Sequence, residues 1–219
     1  MLPILITSYT IMHLLIARLN KLRPGIFQYF RVQQNDFRIL NYLHVIIIII
    51  MVLPGPIMQT APVFLLSFPD KISEFQAVSF LFIFGIIGFF PWKKFAPATE
   101  KNGGVSSPAA HQVIFYSSVR SIFLMVYEWF FRGLLLIALC NWLGTILGIT
   151  INVLLYALLH AYKDRKEMAG CIPLGILLCV FTIWWQSIWP AIIFHLQIAL
   201  ITERTSLQQI ISQQKQTAL

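Results

Sequence analysis

The sequence predicts an all-α fold, a polytopic transmembrane helix bundle of about six spans plus an N-terminal hydrophobic helix. Three observations carry that reading. The chain is 58% hydrophobic and only 11% charged, whereas soluble domains carry about 25% charged residues. Its mean hydropathy is +0.77. Apolar runs of roughly 17–25 residues, the length that crosses a bilayer as a helix, recur along it.

The elements follow in order. The opening stretch, "MLPILITSYTIMHLLIARLN", lacks the basic leading region of a secretory signal and reads as a retained helix, interfacial or a short span. Spans are expected at 39–56, 75–92, 118–140, 143–161, 169–185 and 187–203. The first of these carries "HVIIIIIMV" and stops at "LPGP", where Pro54 and Pro56 break a helix. The last two meet at a tight "WWQSIWP" corner, with Pro190 near a helix start. Residues 93–112 form the one clear linker, rich in Gly, Pro, Ser and charge. Three regions result: an N-terminal membrane region (1–112), a four-helix core (113–205) and a polar tail (206–219).

The net charge of +8 falls in alternate loops. Arg18, Lys21, Arg23, Arg31 and Arg38 lie before the first span, Lys93, Lys94 and Lys101 in the linker, and Lys163, Arg165 and Lys166 before the fifth. The intervening loops carry only Lys71. Six spans put every basic loop on one side, and the positive-inside rule makes that side cytoplasmic. Topology and the attraction of anionic lipid then account for the charge, so no nucleic-acid partner is implied. Cys140, Cys171 and Cys179 lie in apolar segments without C-x-x-C spacing and read as small buried side chains.

Ionisable residues inside spans need a partner or a wet cavity, which makes them functional candidates. Here they are His44, Arg120, Glu128, Arg132, His160, His195 and, at a span end, Glu203. Arg120 sits where a long side chain reaches the interface, and His44 reads as a hydrogen-bonded packing histidine. His13 and His111 lie outside the main spans. Glu128 and Arg132 are four residues apart and share a helix face, as a structural ion pair or as part of a site. Glu128 lies eight residues inside Arg120, and His195 eight residues before Glu203. Both are roughly 12 Å deep from the same membrane face, and His160 is shallower on that face. A carboxylate and two imidazoles brought to one leaflet suit water activation. The carboxylate can take a proton, while the imidazoles bind a metal or act as donors to an oxyanion. An arginine one turn away can hold the carboxylate or bind an anionic substrate group. Two histidines and a glutamate would also satisfy catalytic zinc chemistry, so Glu128, His160 and His195 are the candidate ligands of a divalent metal, zinc first.

Three stretches in order, "YEWFFRG" (127–133), "YALLHAYKDRKE" (156–167) and "SIWPAIIFHLQIALITE" (187–203), resemble the CPBP family of intramembrane metalloproteases. This family includes the type II CAAX prenyl endopeptidases and the bacterial Abi proteins. Its pattern is E-E-x-x-x-R, then F-x-x-x-H, then H-x-x-x-N or H-x-x-x-D. Glu128 and Arg132 match the second Glu and the Arg, His160 the His after a Tyr156 that stands for Phe, and His195 the third-motif His. Tyr127 replaces the first Glu, the family's usual water activator, and Ala199 replaces the Asn or Asp. A variant subfamily with Tyr-Glu shows the same departures, and Lys163, Glu167 and Glu203 fit its pattern.

The resemblance implies an integral membrane endopeptidase acting on a membrane-associated protein or peptide, in a bacterial cytoplasmic membrane with its site facing the cytoplasm. Glu128, Arg132, His160 and His195 would be catalytic, and Tyr127, Lys163, Glu167 and Glu203 supporting. The two departures imply the alternative of an inactive scaffold or immunity-type partner protein.

Overall fold

The computed structural model describes residues 2–24, 26–27, 36–57, 72–89, 110–162 and 165–202. Its elements are α1 (Leu2–Leu22), α2 (Asp36–Val52), the short α3 (Pro54–Ile57), α4 (Glu74–Phe89) and α5 (Ala110–Glu128). A π-helical segment (Trp129–Leu135) joins α5 to α6 (Leu136–Leu143) in one rod, and α7 (Thr145–His160), α8 (Arg165–Trp185) and α9 (Trp189–Thr202) follow. No strand occurs among the described residues. The chain is an all-α membrane bundle. Four helices are long and apolar enough to cross a bilayer: α1, α2, the α5–α6 rod and α8. The apolar helices α4, α7 and α9 are shorter. Most of the expected linker (93–109), the tail (206–219), Lys163 and Glu203 lie outside the described residues. The helix at Ala110 begins inside the region expected to be linker.

α2 and α8 each split into an exposed face and an inner face. On α2, Leu40, Leu43, His44, Ile47 and Met51 are buried, whereas Tyr42, Val45, Ile46, Ile49 and Val52 are exposed. That inner stripe follows the i, i+3, i+4, i+7 rhythm of a helix turned toward its neighbours. On α8, Cys171, Leu178, Cys179, Phe181 and Thr182 point inward, and Ile172, Ile176, Val180 and Ile183 outward. The opening helix, read as interfacial or a short span, buries Leu5, Ser8, Tyr9 and Met12. Leu5, Tyr9 and Met12 join Leu43, Ile47, Tyr127, Phe131, Tyr156 and Cys171 in the largest apolar cluster. α1 and α2 therefore wall the same core as α5 to α8. A second cluster packs Phe80, Ile83, Phe84 and Ile87 of α4 on Leu178, Phe181, Ala191 and Phe194 of α8 and α9.

Local chemistry sets the ends. Ser73 and Gln76 form a reciprocal capping box at α4. The Ser73 hydroxyl accepts the Gln76 N–H at 3.2 Å, and Gln76 Oε1 accepts the Ser73 N–H at 2.9 Å. Gly144 turns the chain from α6 to α7 at φ +83°, where only glycine is unstrained. At Gly148 a Cβ would lie 2.7 Å from the Cys140 backbone nitrogen, so the hairpin closes on a bare Cα. The Ser-Ile-Trp-Pro corner forms as expected. Gln186 takes φ +49°, and Ser187 Oγ accepts the Trp189 N–H at 3.3 Å to start α9.

Candidate active site: a buried glutamate, arginine and histidine

The rod supplies Tyr127, Glu128 and Arg132 across the junction of α5 with the π-helical segment. A π-helix carries one extra residue per turn and is frequent at functional sites. Its placement here is held from two sides. The Phe131 carbonyl accepts the Leu136 N–H and also Nδ2 of Asn152 from α7, at 2.8 Å. The Cys179 thiol of α8 donates to Asn152 Oδ1 at 3.4 Å. Asn152 is fully buried, and sequence reasoning missed it. A signal existed: one primary amide inside an apolar span needs a partner on another helix.

Glu128 and Arg132 are both 0% exposed. Arg132 Nε stands 3.3 Å from Glu128 Oε2, an ion pair by distance. The N–H is not aimed at the oxygen, so neither atom counts as hydrogen-bonded. The guanidinium also lies over the Tyr156 ring, 4.5 Å from its centroid, a cation–π contact that helps hold the charge away from water. His195 Nδ1 lies 2.5 Å from Glu128 Oε1. An ionised carboxylate only accepts, so it takes a hydrogen from Nδ1, and in the neutral ring Nε2 then keeps the lone pair. The His195 side chain is 10% exposed and is the accessible member of the trio.

The expected alignment of Glu128 with His195 is thus a direct contact between α9 and the rod. His160 joins through Tyr156. Its Nδ1 donates to the Tyr156 carbonyl at 3.0 Å, and the two rings are 4.8 Å apart. The Tyr156 ring also stands 6.1 Å from His195 and 5.9 Å from Tyr127, and Tyr127 stands 5.9 Å from His195. Tyr156, which stands for the family's Phe, therefore touches every motif.

The remaining candidates are more distant in role. Glu167 is exposed in the first turn of α8. Ala199, at the family's Asn or Asp position, is buried. Arg120 donates to the Tyr116 hydroxyl at 3.0 Å. His44 packs against Phe123 at 4.6 Å, the packing role expected of it. His13, outside the main spans, shares a 2.9 Å hydrogen bond with the Tyr162 hydroxyl, tying α1 to the residue two beyond His160.

The metal expectation needs Glu128, His160 and His195 to converge. Among the described residues no group of three His, Cys, Asp or Glu is placed to hold a metal ion. One Glu128 oxygen faces His195 Nδ1 and the other faces Arg132. A dication on that carboxylate would lie against a buried guanidinium, which costs Coulomb energy. As placed, Glu128, His160 and His195 do not form a three-ligand zinc site.

This arrangement, a buried carboxylate orienting a partly accessible imidazole among membrane helices, defines a class: a helical membrane protein with acid–base residues at the meeting of three elements. Residues 110–201 match the family model described as type II CAAX prenyl endopeptidase Rce1-like. That region, which holds every catalytic candidate and is less than half of the chain, is similar to the CPBP family of intramembrane proteases. Comparison with curated proteins found no match. Comparison with solved structures found none either.

Proposed function

We propose that this protein is an integral membrane endopeptidase that hydrolyses a peptide bond of a membrane-associated protein or peptide without a bound metal. The observation that carries the reading is the contact between Glu128 Oε1 and His195 Nδ1 inside the region matched to the endopeptidase family. A carboxylate on Nδ1 fixes the tautomer and ring orientation and leaves Nε2 as the base, the logic of an acid–histidine pair in hydrolases.

His195 takes a proton from water, which attacks the substrate carbonyl. Glu128 orients the ring and stabilises the imidazolium that forms. This assignment moves the water-activating role from Glu128, where the sequence reading put it, to His195. Glu128 is fully enclosed and His195 is not, which favours the exchange. Arg132 holds the second oxygen of Glu128. The distribution of Lys and Arg supports a site opening to the cytoplasm, and the resemblance to bacterial family members suggests a bacterial cytoplasmic membrane.

Purified protein in detergent, given a membrane-tethered peptide library, tests this. Wild type should cleave, H195A should not, and chelation by EDTA should leave turnover intact. Equal turnover in wild type and H195A refutes the reading. Turnover that EDTA abolishes and zinc restores would assign metal-binding roles to His160 and His195. The second reading, an inactive scaffold or immunity-type partner, is favoured by the enclosure of Glu128 and Arg132 at 0% exposure. It requires that wild type cleave nothing.

A further inference from the structure

Four adjoining side chains bury six polar atoms that have no hydrogen-bond partner among the described residues. They are the hydroxyls of Tyr127 and Tyr156, Nε, Nη1 and Nη2 of Arg132, and Oε2 of Glu128. Five of the six carry donor hydrogens, whereas Glu128 Oε2 only accepts and the two tyrosine oxygens can do both. Buried polar groups are almost always paired, so a group of orphans on neighbouring residues calls for an explanation. The imbalance points to a missing partner rich in lone pairs.

The two tyrosine rings stand beside the base. Their rings are 5.9 Å apart, and each stands near edge-on to His195, at 5.9 Å and 6.1 Å. Both are inside the protein, Tyr127 at 4% exposure and Tyr156 at 0%. Arg132 lies over the Tyr156 ring and is paired with Glu128. Packing alone would be met by phenylalanine. The hydroxyl on Tyr156 contributes no bond to the described fold and costs desolvation.

We propose that the Tyr127 and Tyr156 hydroxyls are the oxyanion donors of this site. The proposal rests on the peptidase reading. When water attacks the carbonyl carbon, its proton passes to His195 Nε2 and the carbonyl π pair moves onto oxygen. The two hydroxyls donate to that oxygen. As the intermediate collapses, the C–N bond breaks and His195 Nε2–H protonates the leaving amine. Preorganised donors in a water-poor site act at the oxygen where charge develops, so their effect falls on kcat. Tyr156 becomes a catalytic residue, and Tyr127 gains a role other than that of the glutamate it replaces.

The experiment compares wild type, Y127F, Y156F and Y127F/Y156F by two measurements. The first is hydrolysis of a cleaved peptide from the library, with kcat and KM separated. Each single change should lower kcat by roughly 10²-fold with KM almost unmoved. Thermal unfolding of Y156F should be no lower than wild type, because no bond is lost; a purely structural tyrosine would give the opposite pair of results. The second measurement is binding of dimethylphosphinate, a singly charged tetrahedral oxyanion, followed by ³¹P NMR. Hydrogen bonds to charged groups set the expectation of a loss of tenfold or more in the double variant. Where wild type turns over, the kinetic arm decides, and a Y156F kcat equal to wild type overturns the proposal while leaving the peptidase. Where wild type does not turn over, the peptidase reading falls and the phosphinate arm decides. Binding that depends on the hydroxyls then supports the donor pair, and binding that is absent or equal in all four proteins overturns it.

Discussion

Replacing Glu128 by glutamine should destabilise the bundle through Arg132 more than through the glutamate's own lost contacts. Both side chains are 0% exposed, and the guanidinium has Glu128 as its ion-pair partner at 3.3 Å. The glutamine in E128Q is nearly isosteric and still offers an Oε to His195 Nδ1. The change therefore isolates the charge. An uncompensated buried charge costs about 3–5 kcal/mol, which is about two to three and a half decades in the folding equilibrium. The double variant E128Q/R132M removes the stranded charge and keeps an unbranched apolar chain over the Tyr156 ring, so it should recover at least about 2 kcal/mol of that loss. The assay is unfolding in mixed detergent and SDS, read by tryptophan fluorescence. The reasoning is wrong if E128Q unfolds within about 0.5 kcal/mol of wild type, the range of ordinary surface changes. It is equally wrong if the losses of E128Q and R132M simply add in the double variant.

Other changes probe the scaffold. N152A removes the amide that holds the Phe131 carbonyl and leaves the Cys179 thiol without its acceptor. It should cost about 1–3 kcal/mol and raise amide exchange over 129–135 more than elsewhere; uniform exchange would count against the clamp. G148A would bring a Cβ to 2.8 Å from the Cys140 Cα, backbone that no rotamer change can move. It should lower stability by about 1–3 kcal/mol, and an unchanged unfolding midpoint would contradict the close α6–α7 approach. Q186G should relieve the φ of +49° at the α8–α9 corner. The left-handed penalty for a non-glycine residue is about 1–2 kcal/mol, so the midpoint should rise, and a fall would refute strain there.

The positions of the helices were legible because hydropathy is a local property. A run that is apolar enough to leave water must close its own backbone hydrogen bonds, and a helix does so within the run. The corner at Ser187 was legible for the same reason, since a Pro just inside a helix start is a short-range signal. So was the packing role of His44, a lone imidazole facing neighbours on its helix's inner stripe. The shared depth of Glu128 and His195 came from counting residues along two helices of opposite direction. Their contact then followed from the rotation of α9 and the rod about their axes, which depth does not specify.

By itself the sequence determined the class, the order of the apolar helices and the short set of ionisable residues that needed partners. Each of these depends on composition or on spacing within one segment. The tertiary structure alone decided the π-helical stretch at Trp129–Leu135, the Asn152 clamp on it and the pairing of the two Glu128 oxygens with different partners. It also gave Tyr156 a central place beside His195, His160 and Arg132. These features arise where side chains from separate helices meet. Shifting one helix by a residue turns its side chains by about 100° and would exchange every partner, so only the packed bundle specifies them.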